Sequence, residues 1–260
     1  MPRLTRLKRW VPGTGRDGPR YVYASYHKCA TQYTERVLRA VCRRHRLRAD
    51  TFDARHPSVP RQALRRTDFL LLTDYSSGMV DLDTLDARGV HVVRDPRDTL
   101  VSMYFSHRSS HALNHEEIAR DRAALADMDA SEGLEYLLSE SGFFRRIMRE
   151  LAAWDPAARG YHETTFERLT ADPLAEFTAL LDALGLPVER PALEAILEGV
   201  RFAKLRRDWA SRHPNAETNH YRRGRAGDWR NHLEGDVKER FRTRYGPLLI
   251  KLGYETSLDW

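Results

Sequence analysis

A short polar segment, His27-Lys28-Cys29-Ala30-Thr31-Gln32, joins an apolar stretch to an amphipathic one and could bind an anion. The free N–H groups and the dipole at a helix start attract phosphate or sulfate. Lysine is rare in this chain, which has 38 Arg and 5 Lys, so Lys28 favours a specific use of the compact ammonium group. The alternative is an ordinary strand–helix turn with a surface lysine.

Two common phosphate-binding loops are excluded at this segment. A Walker A loop needs spaced glycines before its lysine, and the segment contains no glycine. A cysteine-phosphatase loop needs an arginine after five intervening residues, where Glu35 stands. A thiol nucleophile at Cys29 is therefore disfavoured, although His27 and Lys28 supply some of the positive charge that activates a thiol.

Two further cationic clusters follow along the chain. Arg94 comes directly after an apolar run, and Asp95-Pro96 is typical of a helix start, with Ser102 about two turns further on. The segment 222–229, Arg-Arg-Gly-Arg-Ala-Gly-Asp-Trp, groups arginines around a glycine and could cradle a dianion. A capped helix start and a solvated run of charges are the respective structural alternatives.

The elements that would position these clusters alternate between strand and helix. Apolar runs at 21–26, 69–73, 90–94 and 161–165 predict buried strands. Helical patterns are predicted at 32–45, 79–87, 97–107, 116–127, 132–153, 173–184, 191–199 and 236–252, and the charged segment 206–227 is predicted as a long loop. This alternation predicts an α/β fold with a parallel sheet, whose strand ends form the ligand-binding edge.

Composition limits the classes of protein that remain. The chain has 260 residues and a net charge of +6, and no apolar run is long enough for a membrane helix. Two cysteines, Cys29 and Cys42, cannot build a disulfide framework, so a reducing cytoplasm is the default location. We predict a basic leader over residues 1–20 and a single domain over residues 21–260. We expect neither a membrane nor a nucleic acid as a partner.

The three clusters, in this order, resemble the sulfotransferases that use 3′-phosphoadenosine 5′-phosphosulfate (PAPS). The most specific likeness is to the family's Arg-Lys-Gly…Gly-Asp-Trp-Lys-Asn segment, which here reads Arg222-Arg223-Gly224…Gly227-Asp228-Trp229-Arg230-Asn231. The spacing of Arg94 and Ser102 matches the family's 3′-phosphate motif. The resemblance covers about residues 21–233 and implies a P-loop-like, three-layer fold with a central, mainly parallel sheet.

The same resemblance implies roles for individual residues. Lys28 would be catalytic, and the 5′-phosphosulfate loop would include His27, Cys29, Ala30, Thr31 and Gln32. The 3′-phosphate would be held by Arg94, Ser102, Arg222, Arg223 and Gly224, and adenine would lie beside Tyr33, Phe166 and Phe202. The sequence departs from the family at Cys29-Ala30, where Ser-Gly is common, and at His27, where Pro is usual.

The general base has three candidates in the sequence. Family members place a histidine after a strand, and Asp74 occupies that place here. Burial could raise the pKa of this carboxyl group toward the range that a base needs. His107 and His111 are the rival bases, and a turn-forming aspartate is the structural alternative.

The reaction implied is in-line transfer of a sulfuryl group from PAPS to a hydroxyl of a small molecule, without a metal. The sequence identifies neither the acceptor nor the oligomeric state, since the family's usual dimer motif is not evident. Two other functions remain as alternatives: a P-loop-like small-molecule kinase, which the missing Walker glycines disfavour, and a non-catalytic basic nucleic-acid-binding protein. The second would show steep salt dependence with any polyanion.

Overall fold

The computed structural model describes residues 18–113, 115–155, 159–214 and 224–260. Within these ranges, the strands form a single parallel sheet in the order β2-β3-β1-β4-β5. The strands are β1 (Tyr21–Ser25), β2 (Ala49–Phe52), β3 (Phe69–Leu72), β4 (Arg88–Val93) and β5 (His162–Thr165).

Helices flank this sheet and supply the connections between its parallel strands. They are α1 (Thr31–Arg44), α2 (Arg61–Arg66), α3 (Pro96–Phe105), α4 (Glu116–Leu125), α5 (Ala130–Ser139), α6 (Gly142–Ala153), α7 (Phe166–Ala171), α8 (Pro173–Leu184), α9 (Arg190–Gly199), α10 (Phe202–Arg212) and α11 (Gly235–Lys251). A π-helical turn, Ser106–Ser110, extends α3, and a 3₁₀ turn covers Asp228–Asn231. The α/β architecture with a central parallel sheet confirms the predicted fold class.

The centre of the sheet carries the core. β1 and β3 are buried along their whole length because apolar residues face helices on both sides. Tyr23 of β1 is aligned with Leu71 of β3 and with Val90 of β4, so the carboxyl ends of these strands finish at one edge. That edge is where ligands bind in open parallel sheets.

Several predicted elements were wrong. No helix covers residues 79–87; a 3₁₀ turn at Leu82–Thr84, capped by the Asp81 side chain, leads directly into β4. Gly89, predicted to end that helix, lies within β4, where a Cβ atom would come within 2.3 Å of the Tyr161 ring. The sequence pattern failed because close packing, not a helix end, accounts for this glycine.

Other boundaries also differ from the prediction. The predicted helix over residues 132–153 is two helices, because the Ser141 side chain accepts the Phe144 N–H and starts α6. Part of the predicted loop at 206–227 is α10, while residues 215–223 lie outside the described ranges. The short β2 and α2 were not predicted. The division into a leader and one domain stays a prediction, and residues 1–17 lie outside the described ranges.

In the part of the chain that the structure describes, no helix is both long and apolar enough to cross a bilayer.

Candidate active site

The loop between β1 and α1 has an unusual backbone. Lys28 and Ala30 both adopt positive φ angles, 66° and 58°, which L-residues other than glycine rarely do. Strained backbone of this kind persists only where the surroundings hold it, and it concentrates at functional sites. The departure from the family's Ser-Gly has therefore not removed the left-handed turn at Ala30.

The side chains of this loop point in different directions. Cys29 is buried, and its thiol donates weakly to the His27 carbonyl, with a Sγ–O distance of 3.7 Å. Burial raises the pKa of the Cys29 thiol far above its ordinary value, which disfavours a thiolate. Lys28 is partly exposed, as are Thr31 and Gln32 at the start of α1, where the first turn has no acidic residue. This helix start therefore keeps its attraction for an anion.

Arg94 connects the end of β4 to this loop. Its Nη1 atom donates to the Lys28 carbonyl oxygen at 3.1 Å, and its guanidinium carbon lies 4.1 Å from the centre of the Phe166 ring. Arg94 is only 8% exposed, and its buried Nε has no hydrogen-bond partner among the described residues. A buried donor of this kind is rare unless something binds it. The first two predicted clusters thus meet, with a cationic donor still available.

Asp98 brings the third cluster to the same place. Its carboxylate accepts the backbone N–H of Gly227 at 2.7 Å and that of Trp229 at 2.8 Å. Its Oδ2 also lies 3.9 Å from Arg94 Nη2. Burial raises the pKa of Asp98, while Arg94 and the two N–H groups oppose the rise. One carboxylate therefore fixes the segment after residue 224 beside the start of α3.

The remaining members of the predicted nucleotide site lie on these elements or outside the described ranges. Gly224 has a φ of 63°, and a Cβ atom there would approach the Phe202 ring within 2.5 Å. Ser102 is partly buried on α3, and Tyr33 packs edge-on against Phe177, with ring centres 5.6 Å apart. Arg222 and Arg223 fall within residues 215–223, which the structure does not describe.

Arg97 stabilises the start of α3, which belongs to the second cluster. It is almost fully buried and forms hydrogen bonds to both carboxylate oxygens of Asp95. Its Nη1 donates to Glu255 at 2.5 Å, and its guanidinium lies 3.9 Å from the centre of the Trp229 ring. The start of α3 is therefore clamped to both the third cluster and the segment that follows α11.

Asp74 lies at the end of β3, as the sequence predicted for the candidate base. Its φ of 58° is a third left-handed position at this edge of the sheet, after Lys28 and Ala30. Asp74 Oδ1 lies 3.2 Å from His27 Nδ1, and the Asp74 side chain is 23% exposed. Burial raises the pKa of Asp74, opposed by the positive charge of Lys28. The carboxyl group is thus both reachable and tuned toward a base.

His27 continues this contact into the protein. His27 Nε2 lies 3.1 Å from His107 Nε2, and His107 Nδ1 lies 2.8 Å from Asp121 Oδ2. Burial holds the pKa of His27 well below its usual range and also lowers that of His107. We call Asp74, His27, His107 and Asp121 the histidine line. Within it His107 is fully buried, so its link to the partly exposed Asp74 runs through His27.

His111, the other rival base, lies beside this line. Its ring centre is 4.9 Å from that of His27 and 5.8 Å from that of His107. Burial lowers the pKa of His111 to about 3, and the positive charge of Lys28 adds to the effect.

Sequence reasoning missed the residues that hold the site together. Asp121 lies in an ordinary amphipathic helix, and no local pattern separates it from a surface acid. Asp98 and Arg97 follow Asp95-Pro96 and carry the local signals of an ordinary charged helix start. The distinguishing signal is three-dimensional, since the partners His107, Gly227 and Glu255 lie 14 or more positions away along the chain. In the β1–α1 loop, the rarity of lysine in the chain is the signal that the sequence does carry.

Across the described ranges, no group of three or more His, Cys, Asp and Glu side chains is arranged to hold a metal ion. The cations of Lys28 and Arg94, with the unpartnered Arg94 Nε, instead suit a phosphate or sulfate group.

Comparisons with known proteins identify the family and the fold. The family described as "Sulfotransferase domain" matches residues 20–253. No curated protein matches the chain by sequence.

Solved structures show the same fold at low sequence identity. Mouse sulfotransferase SULT7A1, complexed with PAP, is 16% identical with a TM-score of 0.64, covering 91% of this chain and 85% of that one. Retinol dehydratase with androsterone and the inactive cofactor PAP is 16% identical with a TM-score of 0.61, covering 88% and 80%. Retinol dehydratase with retinol and PAP is 15% identical with a TM-score of 0.56, with the same coverage.

Proposed function

Because the chain belongs to the sulfotransferase domain family, we propose that it transfers a sulfuryl group from PAPS to a hydroxyl of a small-molecule acceptor. The observation that carries this proposal is the contact of Arg94 with the Lys28 carbonyl, which joins the β1–α1 loop to the β4–α3 junction. These are the places where the resemblance puts the two phosphate sites of the donor. Solved structures of the same fold contain PAP, which is PAPS without its sulfuryl group.

On the donor side, Lys28 and the start of α1 would hold the 5′-phosphosulfate. Lys28 would neutralise the charge that develops on the leaving phosphate oxygen, where fixed positive charge contributes most to catalysis. Thr31 and Gln32 would donate hydrogen bonds from the first turn. His27, Cys29 and Ala30 would contribute backbone shape, because the Cys29 thiol points into the core and His27 faces Asp74.

The 3′-phosphate would lie against Arg94, Ser102 and Gly224, with Arg222 and Arg223 as further predicted contacts. The buried, unpartnered Nε of Arg94 supports this placement. Adenine would pack near Phe166, Phe202 and Tyr33, and Phe166 already lies against the Arg94 guanidinium. These contacts would distinguish PAPS from ATP, which lacks a 3′-phosphate.

On the acceptor side, Asp74 would remove the hydroxyl proton while the acceptor oxygen forms its bond to sulfur. The electron pair of the broken sulfur–oxygen bond leaves with the phosphate. The partial exposure of Asp74 favours it over His107, which is fully buried. His111, whose pKa burial lowers to about 3, would be a weak base. Positioning and charge stabilisation would provide most of the remaining rate enhancement.

A small alcohol fits this proposal as the acceptor. Androsterone and retinol, found in two solved structures of the same fold, both carry a hydroxyl group. We further place the reaction in the cytoplasm. The free thiols of Cys29 and Cys42 suit that reducing compartment.

Ligand-induced thermal shifts test the proposal against the kinase and the nucleic-acid binder. PAP should stabilise the protein by about 2.7 kcal/mol at a hundredfold excess over its Kd, whereas ATP with Mg²⁺ and a DNA oligomer should not. Arg94→Ala should abolish most of the PAP shift, and Arg190→Ala, on the exposed face of α9, should not.

Transfer itself is measured with PAPS and a panel of alcohols by mass spectrometry, as the gain of one SO₃ group. A protein that binds ATP in preference to PAP, or transfers no sulfuryl group to any alcohol, would contradict the proposal.

A further inference from the structure

The histidine line ends in a carboxylate that is surrounded by donors. Asp121 Oδ2 is 2.8 Å from His107 Nδ1 and accepts the Ser141 hydroxyl at 3.0 Å, and Oδ1 accepts the Tyr136 hydroxyl at 3.4 Å. An ionised carboxylate can only accept hydrogen bonds. His107 must therefore carry its proton on Nδ1.

The proton on His107 Nδ1 also determines which nitrogen of His27 carries a proton. A neutral histidine has one N–H and one bare nitrogen, so His107 Nε2 is an acceptor. Since His27 Nε2 lies 3.1 Å away, His27 must donate from Nε2. Burial lowers the pKa of both rings, which keeps each of them neutral with a single proton. The bare nitrogen of His27 is then Nδ1, and it faces Asp74.

The surroundings hold both rings in place. Two successive residues of α4 bind His107. Asp121 binds its ring, and Arg122 donates to its carbonyl oxygen at 2.7 Å. The Phe143 ring packs edge-on against His27 and His107, with centre distances of 4.9 and 5.5 Å, and covers the line with an apolar wall. Neither ring can easily turn to exchange its nitrogens.

We propose, on the basis of the proposed function, that Asp121 and His107 are positioning residues that fix the tautomer of His27. As a result, Asp74 and His27 Nδ1 together receive the acceptor's proton. The acceptor O–H bond breaks and its electron pair forms the bond to sulfur. The proton passes to Asp74 and is shared with His27 Nδ1 across the 3.2 Å contact. In the resting state, when both histidines are neutral, this is the one contact of the histidine line with no proton between its two atoms. The acceptor's proton occupies that position.

Other titratable and charged groups surround Asp74 and His27 and would shape the pH dependence of this pair. Positive charge near Asp74 favours its ionised form, while a nearby carboxylate raises its proton affinity. The groups that act on Asp74 or His27 from neighbouring elements are Lys28, Asp53, His107, His111, His115 and Arg146.

The test removes the negative charge of Asp121, which lies at the end of the histidine line away from the reacting atoms. Asp121→Asn should lower kcat by at least tenfold, up to the roughly 10²–10⁴-fold contribution of a general base. The Kd for PAP should not change. The acid-side fall of kcat should move to lower pH, because the lost negative charge lowers the proton affinity of the pair. Tyr136→Phe, which also removes a contact to Asp121 but no charge, should leave kcat and its pH profile unchanged.

A kcat and pH profile unaffected by Asp121→Asn would overturn the proposal. An equal loss in the Asp121→Asn and Tyr136→Phe variants would overturn it too, because only packing would then connect Asp121 to the site. Asp121→Glu should recover part of the activity by restoring the charge.

Nitrogen-15 NMR of the wild-type histidines tests the tautomers without any variant or substrate. At neutral pH we expect His107 to carry its proton on Nδ1 and His27 on Nε2; the reverse pattern in either ring would overturn the proposal. A wild-type protein that shows these tautomers but neither binds PAP nor transfers a sulfuryl group would refute the proposed function and leave the line intact.

Discussion

The two halves of the site are held by different kinds of contact. On the donor side, formed by Lys28, Arg94, Asp98 and residues 224–229, charged side chains bind backbone groups: Arg94 the Lys28 carbonyl, and Asp98 two N–H groups. On the proton side, formed by the histidine line, side chains bind other side chains.

This difference predicts different sensitivities. Backbone groups do not titrate, so among these donor-side contacts only the carboxylate of Asp98, whose pKa burial raises, makes the shape of the site depend on pH. The proton side depends on where each proton lies, and burial strengthens that dependence. Substitutions on the proton side should therefore change kcat and its pH profile, while most substitutions on the donor side should change affinity for PAP.

The largest effect is expected for Asp74→Asn. The amide cannot take the acceptor's proton, so kcat should fall by about 10²–10⁴-fold with little change in the Kd for PAP. In the wild type, activity should decrease as the pH falls through the raised pKa of Asp74, because only the ionised form is a base. Steady-state kinetics against pH measures both. Asp83→Asn, an exposed aspartate paired with Arg159, is the control; an active Asp74→Asn enzyme would assign the base elsewhere.

Lys28→Ala should follow, with a fall in kcat of about 10²–10³-fold. Lys28 is the exception on the donor side, since its charge would act on the transition state more than on bound PAP. Calorimetry should accordingly find a near-normal Kd for PAP. Lys204→Ala, which removes an exposed lysine paired with Asp208, should change neither quantity. A large loss of PAP affinity without loss of kcat would reverse the role assigned to Lys28.

Arg94→Lys should weaken PAP binding by about 10- to 100-fold, the value of one charge-assisted hydrogen bond. The variant keeps the positive charge and loses the planar group that spans the Lys28 carbonyl and the Phe166 ring. At saturating PAPS, kcat should change much less than the Kd. An unchanged Kd for PAP, measured by calorimetry, would show that charge alone is needed at this position.

The smallest effect is expected for Asp98→Asn, at about two- to tenfold in the Kd for PAP. The amide keeps one oxygen to accept from Gly227 or Trp229 and loses the other acceptor. Hydrogen exchange of these two amides should increase in the variant. If PAP affinity fell more than in Arg94→Lys, the position of the third cluster would matter more than the arginine itself.

The sequence predicted the elements whose signals are local. Tyr21–Ser25 and Phe69–Leu72 are apolar runs that only a buried strand accommodates, and Asp95-Pro96 starts α3 as its capping chemistry requires. The predicted family is confirmed, and so is the parallel sheet. The helix predicted at residues 79–87 was wrong because Gly89 is present for the Tyr161 ring, a contact between distant segments.

The site was predictable to the same extent. Lys28, Asp74 and Arg94 follow strand ends, so their gathering at one edge could be predicted from the order of the elements. The partners of His107 could not be, because Asp121 becomes distinct only when α4 packs beside the π-helical turn. The individual roles of these residues stay predictions until the variants are measured.

Arg97, the buried arginine at the start of α3, has partners that are synthesised much later than the residue itself. Arg97 draws its partners from Asp95, from Trp229 and from Glu255, which lies 158 positions further along the chain. A nascent polypeptide can form the central strands early, but the start of α3 lacks one of its carboxylate partners until Glu255 has left the ribosome. In an unfinished chain, Arg97 would therefore lack part of its counter-charge, and the candidate site would not yet be fully supported.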